Sequence, residues 1–307
     1  MSRFQFFCEP IKDFSPSAGT FLFNNPAHLK TQCARDWWRY GLSSSGKTCI
    51  QIYIHVQDEI ASSPLRAPFG SVEVFKNISL KEWKNFFIKL TQDLKLKAVE
   101  KLHITNFPSQ YNLKVSGQLL KVLIDLGFSC QENSSSIIEV NSILLEKKMV
   151  PAKRQKLKKC IAQLTFRQES ISKLKMIYHF LENCRHEKGQ LLSMTLEALQ
   201  KIVKAFPADY LLFSAYHNKN LAAAAIVIKI SKKVVYTFYY GHAKEFNKIS
   251  PVVFLINGIY RYSVENNFKM IDLGTSMLDK KVNKPLLHFK ASIGGQPTSK
   301  YDFVRYL

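Results

Sequence analysis

The chain has 307 residues, about twice the length of a typical single domain, so two domains are expected. Hydrophobic residues make up 46% and charged residues 22%, which excludes a disordered, fibrous or coiled-coil chain. Lys and Arg number 44 against 23 Asp and Glu, and this net charge of +21 favours polyanionic partners such as nucleic acid, nucleotide phosphates or anionic lipid.

The absence of certain segments from the sequence indicates where the protein resides and whether it is anchored in a membrane. The longest apolar run, Leu221 to Ile228, is far shorter than the roughly twenty residues that span a bilayer. The first 25 residues lack the basic, apolar and small-residue order of a signal peptide. The 6 cysteines form no C-x-x-C pair. We therefore expect a cytoplasmic protein without a transmembrane segment, a disulfide scaffold or a metal site.

The positive charge is concentrated in the second half. Residues 151–307 carry 26 Lys and Arg against 10 Asp and Glu, whereas residues 1–150 carry 18 against 13. A charged stretch from Glu146 to Cys160 joins the halves, and Pro151 marks the start of an element. We predict an N-terminal domain over 1–150 and a C-terminal domain over 151–307.

Periodicity and turn residues predict the elements of the first half. Alternation from Cys49 to Gln57 predicts a half-buried strand, and Ser79 with Glu82 predicts a capping box that opens a helix. The apolar stripe of that helix is Trp83, Phe86, Phe87 and Leu90. The remaining predicted elements are strands at Ser71–Phe75, Leu102–Thr105 and Ser136–Val140 and a helix at Gly117–Leu126.

The second half repeats this order. The predicted helices are Ser172–Arg185, with Met176 and Phe180 in the core, Thr195–Phe206, and one that begins at Ser250-Pro251 with Ser250 as its N-cap. The predicted strands are Tyr210–Tyr216, Leu221–Ile230, Lys233–Tyr240 and Lys269–Leu273. Each half thus reads as a strand hairpin, a helix, a strand, a helix and a strand, which predicts a duplicated α/β domain.

Several motifs of the second half, in this order and spacing, resemble the C-terminal half of the Fem peptidyltransferases and related double-GNAT proteins. They are Phe206-Pro, Tyr236-Thr-Phe-Tyr-Tyr-Gly, Ser250-Pro251, Met270-Ile-Asp-Leu-Gly and Phe289-Lys-Ala-Ser-Ile-Gly-Gly. The resemblance implies an α/β fold of two tandem GNAT-like domains with mixed sheets, the first degenerate. It also implies transfer of an acyl group to a primary amine, from acyl-CoA in ordinary GNAT enzymes or from aminoacyl-tRNA in Fem enzymes.

One loop departs from the ordinary GNAT pattern. Acetyl-CoA-dependent members hold the pyrophosphate on the amides of a Gln/Arg-x-x-Gly-x-Gly/Ala loop between the fourth strand and the next helix. Here no glycine lies between Gly241 and Gly258, and Pro251 lacks an N–H donor. The sequence therefore favours an aminoacyl-tRNA donor, or an unusual mode of acyl-CoA binding, and no cofactor is assigned.

Three residues are candidates for catalysis. By the resemblance, Lys290 lies beside the reaction centre and would stabilise negative charge on the carbonyl oxygen; a surface lysine is the alternative. Asp272 interrupts an apolar strand and would orient the amine, act as a base, or simply cap a neighbouring backbone group. His242 follows the preceding strand and is the alternative base, or a polar surface residue.

Residues for substrate binding come from both halves. Tyr236, Phe238 and Tyr240 are predicted to share one strand face that lines an acceptor groove or packs in the core. Ser250 is included with them at the corner before the helix. In the first half Trp38, Arg66, Phe69 and Gly70 are candidates for an anion-binding rim, or for a turn held by a buried aromatic.

A basic cluster follows the domain boundary. Its members are Lys153, Arg154, Lys156, Lys158 and Lys159. At helical spacing they form either a solvated face or a track for nucleic-acid phosphates.

The leading prediction is a Fem-like acyl- or aminoacyltransferase. An acyl-CoA-dependent N-acetyltransferase acting on a small amine is one alternative, and a non-catalytic scaffold that binds RNA or another polyanion is the other. The donor, the amine acceptor and the oligomeric state stay open at this point.

Overall fold

A computed structural model describes residues 4–14, 21–279 and 281–307 of the chain. These form two compact units, Met1–Ser134 together with Thr298–Leu307, and Ser135–Pro297. This division differs from the predicted boundary at residue 150. The C-terminal residues return to the first unit because the last strand of the chain pairs with a strand of that unit.

Fifteen strands, nine α-helices and four short 3₁₀ helices are found within the described residues. The strands are β1 Gln5–Pro10, β2 Trp37–Ser44, β3 Lys47–Gln57, β4 Ile60–Ser63, β5 Val72–Val74, β6 Lys101–Thr105, β7 Ser129–Glu139, β8 Leu164–Glu169, β9 Tyr210–His217, β10 Asn220–Lys229, β11 Val234–His242, β12 Met270–Thr275, β13 Met277–Leu278, β14 Lys281–Val282 and β15 Gln296–Tyr306. The helices are α1 Pro26–Gln32, α2 Leu80–Leu96, α3 Leu113–Asp125, α4 Leu145–Lys148, α5 Pro151–Ile161, α6 Leu174–His186, α7 Leu196–Ala205, α8 Pro251–Glu265 and α9 Lys284–Ser292.

The first unit is an antiparallel meander extended by a parallel strand. β1, β2, β3 and β4 pair antiparallel in sequence order. After β4 the chain passes through α2 to β6, which pairs parallel to β4 and antiparallel to β15. The predicted capping box of α2 is confirmed at Ser79 and Glu82, and the four residues of its predicted apolar stripe are fully buried.

β3 is more deeply buried than its alternation predicts. Gln51, Tyr53 and His55 are buried just as Ile50 and Ile52 on the opposite face are. The prediction of a half-buried strand was therefore wrong, because both faces of this strand are covered. Buried polar side chains on one face mimic the pattern of a solvent-exposed face.

The second unit repeats the same topology. β8, β9, β10 and β11 pair antiparallel in sequence order, and α8 then returns the chain to β12, which is parallel to β11 and antiparallel to the end of β7. α8 packs closely on the sheet, since a Cβ atom on Gly258 would lie 2.2 Å from the ring of Phe166.

The buried stripe of α6 differs from the prediction. Leu174, Ile177 and Leu181 are buried, whereas Met176 is exposed and Phe180 is only half-buried. The stripe is therefore rotated relative to the predicted one. Within the described residues, none of the helices combines the length and the apolar character needed to cross a bilayer.

Two irregularities of β11 shape the centre of the second unit. The register between β10 and β11 shifts at Ile226 and Val227, so Phe238 is bulged out of the pairing. β11 and β12 pair only over Val234–Tyr236 and Met270–Asp272, and each strand continues beyond that segment without its partner. Beyond Tyr236 and Asp272 the two strands therefore no longer share ladder hydrogen bonds with each other.

Candidate functional site

The candidate site lies where β11 and β12 separate. Tyr236 and Asp272 are the last paired residues, and partners in a parallel register point to the same face of the sheet. That face is opposite to the one covered by α8, because the preceding pair, Val235 and Ile271, packs into the core with α8. The carboxylate of Asp272 and the phenol of Tyr236 therefore lie next to each other where β11 and β12 separate.

Lys290, on α9, lies at the point where β11 and β12 separate. Its side chain is only 1% exposed, and its Nζ donates hydrogen bonds to the carbonyl oxygens of Gly274 (2.8 Å) and Thr275 (2.7 Å). Burial lowers the pKa of Lys290 to about 8, and the negative charge of Asp272 opposes that shift. The alternative of a surface lysine is therefore wrong, because the ammonium of Lys290 is buried within the second unit.

Asp272 holds the backbone turn to which Lys290 binds. Its Oδ1 accepts hydrogen bonds from the amide of Gly274 (2.7 Å) and from the hydroxyl of Ser135 (3.4 Å). Gly274 has φ +76°, in the left-handed region that favours glycine. Asp272, Gly274 and Lys290 thus form one hydrogen-bond network. The carboxylate of Asp272 fixes the turn at Gly274, and the carbonyl of that turn accepts a hydrogen bond from the ammonium of Lys290.

Tyr236 covers this turn. A Cβ atom on Gly274 would lie 3.4 Å from a ring carbon of Tyr236 and 3.6 Å from its hydroxyl oxygen. Burial and the charge of Asp272 raise the pKa of Tyr236, so the phenol stays protonated at neutral pH and can donate a hydrogen bond.

Tyr240 lies on the other face of β11. It packs against the core that contains Val235, because the bulge at Phe238 changes the alternation between the two tyrosines. Burial raises its pKa to about 12. The prediction that Tyr236, Phe238 and Tyr240 share one face was therefore wrong, since a single bulged residue reverses every later side chain.

Sequence reasoning missed Arg185. This residue lies in the last turn of α6, where it is half-buried and donates to the side-chain oxygen of Gln190 (2.9 Å). Its positive charge lowers the pKa of Lys290 and of Tyr236, so its guanidinium lies within electrostatic reach of both groups. An arginine at the end of a predicted helix has no distinguishing pattern, and only the packing of α6 against β11 brings it there.

His242 is remote from Asp272 and Lys290. It lies six residues beyond Tyr236 on β11, which corresponds to roughly 20 Å at about 3.3 Å per residue. It pairs with Ala223, and the side chain of Ala223 lies in the core on the α8 face. Its Nε2 hydrogen-bonds the side-chain oxygen of Asn247 (2.6 Å), and burial lowers its pKa.

The corner between β11 and α8 is a short 3₁₀ helix, Lys244–Ile249. α8 begins at Pro251 as predicted, but Ser250 makes no side-chain cap and has φ +55°. The predicted capping role was wrong because a side-chain cap requires an extended backbone at the N-cap residue, whereas Ser250 is left-handed. The amides of Phe246, Ser250 and Val253 donate to carbonyls within the corner itself.

The candidates of the first unit occupy separate environments. Phe69 is buried among aromatic rings, and a Cβ atom on Gly70 would lie 2.5 Å from the hydroxyl oxygen of Ser63. Arg66 is exposed, and the Trp38 ring lies under the Nζ of Lys97 at 4.3 Å. Burial favours a packing role for Phe69 and Gly70, whereas Arg66 is free of the core.

The predicted basic helix is α5. Lys156, Lys158 and Lys159 are exposed on it. Arg154 instead donates to the carbonyl oxygens of Glu146 (3.0 Å) and Met149 (3.3 Å), and Lys153 lies over the ring of Phe289 with its Nζ 5.1 Å from the centroid. Four of the five basic residues are thus exposed and Lys153 is half-buried, while Lys153 and Arg154 also make contacts within the unit.

The structure brings Tyr236, Asp272 and Lys290 together and adds Arg185, whereas His242 and Ser250 lie at the corner before α8. This set can stabilise negative charge, because the ammonium of Lys290 and the protonated phenol of Tyr236 lie where β11 and β12 separate, and Arg185 adds a positive charge within electrostatic reach.

Comparison with known proteins identifies the fold. No protein-family model and no curated protein sequence matches the chain. A crystal structure of FemX matches with a TM-score of 0.71 at 13% identity, covering 96% of this chain and 94% of that one.

Two further solved structures match over nearly their whole lengths. L-PGS from Bacillus licheniformis has a TM-score of 0.57 at 10% identity, with 94% of each chain covered. A tandem GNAT protein from the clavulanic acid biosynthesis pathway has a TM-score of 0.53 at 9% identity, with 98% of each chain covered. The α/β fold of this chain, with its mixed sheets, is therefore the Fem-like tandem GNAT fold, as the sequence motifs predicted.

Proposed function

We propose that the second unit is an aminoacyltransferase that moves the acyl group of an aminoacyl-tRNA onto a primary amine. The observation that carries this proposal is the buried ammonium of Lys290, held at the point where β11 and β12 separate. Proteins bury a lysine charge at a cost, and a charge held in place by two carbonyls is suited to a reaction that develops an anion beside it.

The chemistry assigns a role to each side chain. The amine attacks the ester carbonyl of the donor, a C–N bond forms, and the C–O bond to the ribose breaks. Negative charge develops on the carbonyl oxygen, where the remaining N–H of Lys290 stabilises it. The proton lost by the amine ends on the leaving ribose oxygen. Asp272 acts as a positioning residue that holds the Gly274 turn.

Two observations support tRNA over acyl-CoA as donor. At the corner before α8 the amides of Phe246, Ser250 and Val253 already donate to carbonyls of that corner and Pro251 has no N–H, so few amides are left for the cradle that pyrophosphate needs. The exposed lysines of α5, Lys156, Lys158 and Lys159, offer contacts for phosphates of a polynucleotide in the same unit. The sequence motifs that resemble the Fem peptidyltransferases imply the same donor, and the fold shared with FemX is consistent with that resemblance.

The test is a transfer assay with the purified full chain. Aminoacyl-tRNA labelled in the aminoacyl group, uncharged tRNA with free amino acid, and acetyl-CoA are each offered with a panel of lysine, ethanolamine and a diamine. We expect amide product only from aminoacyl-tRNA, and we expect tRNA affinity to fall steeply with salt. Replacing Lys156, Lys158 and Lys159 by Gln should lower the slope of that salt dependence by about one for each phosphate that is no longer neutralised.

Each other outcome would overturn a defined part of the proposal. Product formed from acetyl-CoA and not from aminoacyl-tRNA would identify an acyl-CoA-dependent N-acetyltransferase. Salt-sensitive binding of both tRNAs without transfer to any amine would identify a non-catalytic scaffold. Transfer by a Lys290→Met variant at the wild-type rate would remove Lys290 from the mechanism.

A further inference from the structure

Three side chains able to ligate a metal lie together in the first unit. They are Cys33, Asp36 and His55, and one donor atom from each lies within 4.8 Å of the donor atoms of the other two. The sequence does not suggest this group, because His55 is separated from Cys33 by a helix end and a whole β-hairpin. The site is in a different unit from the proposed transferase centre and is independent of that function.

Chain geometry explains why these residues meet. Cys33 follows the last residue of α1, and Asp36 immediately precedes β2. In the hairpin of β2 and β3, His55 lies opposite Trp37, the neighbour of Asp36. Hydrogen bonds to backbone carbonyls hold the segments that contain Cys33 and Asp36 in place. The indole Nε1 of Trp37 donates to the carbonyl of Cys33 (3.1 Å), and the amide of Val56 donates to the carbonyl of Asp36 (2.9 Å).

His55 supplies an independent indication of a ligand. Its side chain is 1% exposed, yet its Nε2 is buried without a hydrogen-bond partner among the described residues. A buried imidazole nitrogen without a partner is unfavourable, and native structures normally satisfy such atoms with protein, water or a metal ion. Here a thiol and a carboxylate are the groups gathered near the ring.

We propose that Cys33, Asp36 and His55 bind a Zn²⁺ ion through the thiolate, the carboxylate and the imidazole. A set of sulfur, oxygen and nitrogen donors suits Zn²⁺, whereas Mg²⁺ and Ca²⁺ require oxygen ligands. On binding, the thiol of Cys33 releases its proton to solvent. Three protein ligands leave the fourth tetrahedral position to water or to an external ligand.

Neighbouring charges oppose the ion only weakly. The Nε of Arg35 lies 3.5 Å from Oδ2 of Asp36, but both side chains are largely exposed, so this pair is readily exchanged for a metal. Arg66 lies close enough for its charge to act on His55, but its side chain is exposed. A thiolate and a carboxylate together match the two positive charges of the ion.

The bound ion would join the end of α1 to the β2–β3 hairpin. Leu29 of α1, Trp37 of β2 and Tyr53 of β3 already form a small separate core at this place. Such a link stabilises the folded state in proportion to metal occupancy, because the unfolded chain does not bring the three ligands together.

The test is a metal titration of the full chain after removal of metal with a chelator. We expect one Zn²⁺ per chain, a higher melting temperature with Zn²⁺, and a sulfur-to-metal charge-transfer absorption with Co²⁺. Cys33→Ser should abolish that absorption. Asp36→Asn should weaken Zn²⁺ binding by about tenfold or more, while Asn tolerates the left-handed φ of +66° at this position.

A matched control uses another half-buried cysteine of the first unit. Cys130→Ser should keep the stoichiometry, the Co²⁺ absorption and the Zn²⁺-dependent melting shift of the wild type. The proposal is overturned if the wild type shows no saturable Zn²⁺ binding at micromolar free metal. It is equally overturned if the Co²⁺ absorption survives in Cys33→Ser, or if Asp36→Asn binds Zn²⁺ as tightly as the wild type does.

Discussion

The two units share one topology, but they differ at the end of their parallel strand pair: the strands separate in the second unit, whereas a returning segment covers them in the first. In the second unit β11 and β12 separate after Tyr236 and Asp272, and a buried lysine lies at that point. In the first unit the chain after β4 folds back over the end of the pair, where the amide of Gly70 donates to the carbonyl of Thr105 (3.1 Å).

The segment that fills this place in the first unit packs through uncharged side chains, although its Arg66 is exposed to solvent and its Pro68 carbonyl accepts a hydrogen bond from Lys300. The hydroxyl of Ser71 donates to the side-chain oxygen of Asn106 (2.7 Å), and the ring of Phe69 packs against those of Phe107 and Tyr111. One fold thus carries a charged separation in one unit and an aromatic, hydrogen-bonded closure in the other. Since a fixed positive charge beside the developing oxyanion is what the proposed transfer requires, we expect the chemistry in the second unit alone.

Removing the charge of Lys290 is the strongest test of this comparison. We expect Lys290→Met to lower kcat by about 10²–10³, because one preorganised donor at a developing oxyanion contributes that much. The variant also leaves the carbonyls of Gly274 and Thr275 without their donor, which should lower the free energy of unfolding by about 1–3 kcal/mol. Single-turnover transfer rates and denaturant unfolding measure the two effects separately.

The matched control removes a half-buried lysine from the first unit. Lys97 pairs with Asp93 on α2, and Lys97→Met should leave kcat unchanged. An equal loss of kcat in both variants would mean that the effect of Lys290→Met is a general loss of folded protein, and the distinction between the units would fail.

The pH dependence tests which form of Lys290 acts. With a pKa of about 8, the ammonium dominates at neutral pH, so kcat/KM should fall about tenfold per pH unit above pH 8. The pKa of Tyr236 is raised by burial, so the phenol does not titrate near pH 8 and does not contribute to this fall. The residual activity of Lys290→Met should lack the falling limb. A rate that rises through pH 8 would instead identify the neutral amine as a base.

The closure of the first unit can be broken at Gly70. A Cβ atom there would lie 2.5 Å from the Ser63 hydroxyl and 2.7 Å from the backbone nitrogen of Pro64, so Gly70→Ala should lower the free energy of unfolding by about 1–3 kcal/mol. Its kcat per folded molecule should remain that of the wild type. Lower kcat in the folded fraction would give the first unit a part in the chemistry.

A second glycine of the first unit provides the control of opposite sign. Gly117 lies in α3 with open space around its Cβ position, so Gly117→Ala should raise the free energy of unfolding by about 0.5–1 kcal/mol through helix propensity.

Local patterns predicted the elements well because their determinants are local. The capping box of Ser79 and Glu82 requires only four consecutive residues, and the helix that begins at Pro251 follows from the fixed φ of proline. The motif around Lys290 also identified a residue that proves to be buried beside Asp272, although its role stays a prediction.

The failures share a non-local cause. The bulge at Phe238 arises from pairing with β10 and reverses the face of Tyr240, which no count of alternating residues along β11 can show. The burial of both faces of β3 depends on elements far away in sequence. Arg185 becomes part of the site only because α6 packs against β11, so no pattern in its own helix could have indicated it.

The smallest expected loss of activity comes from a comparison of the two units at glycines with positive φ. Gly274 at the site and Gly127 after α3 have φ +76° and +81°, so replacing either by Ala should lower the free energy of unfolding by about 1–2 kcal/mol through backbone strain. A Cβ on Gly274 would make only ordinary contact with Tyr236, and one on Gly127 would meet open space.

The two alanine variants should nevertheless differ in activity. In Gly274→Ala the strained turn shifts the carbonyl that receives Lys290 and the amide that binds Asp272, so kcat should fall severalfold. Gly127→Ala should keep the wild-type kcat. If both variants lose the same stability and neither loses activity, the Gly274 turn does not position the ammonium, and the contrast between the units would depend on Lys290 alone.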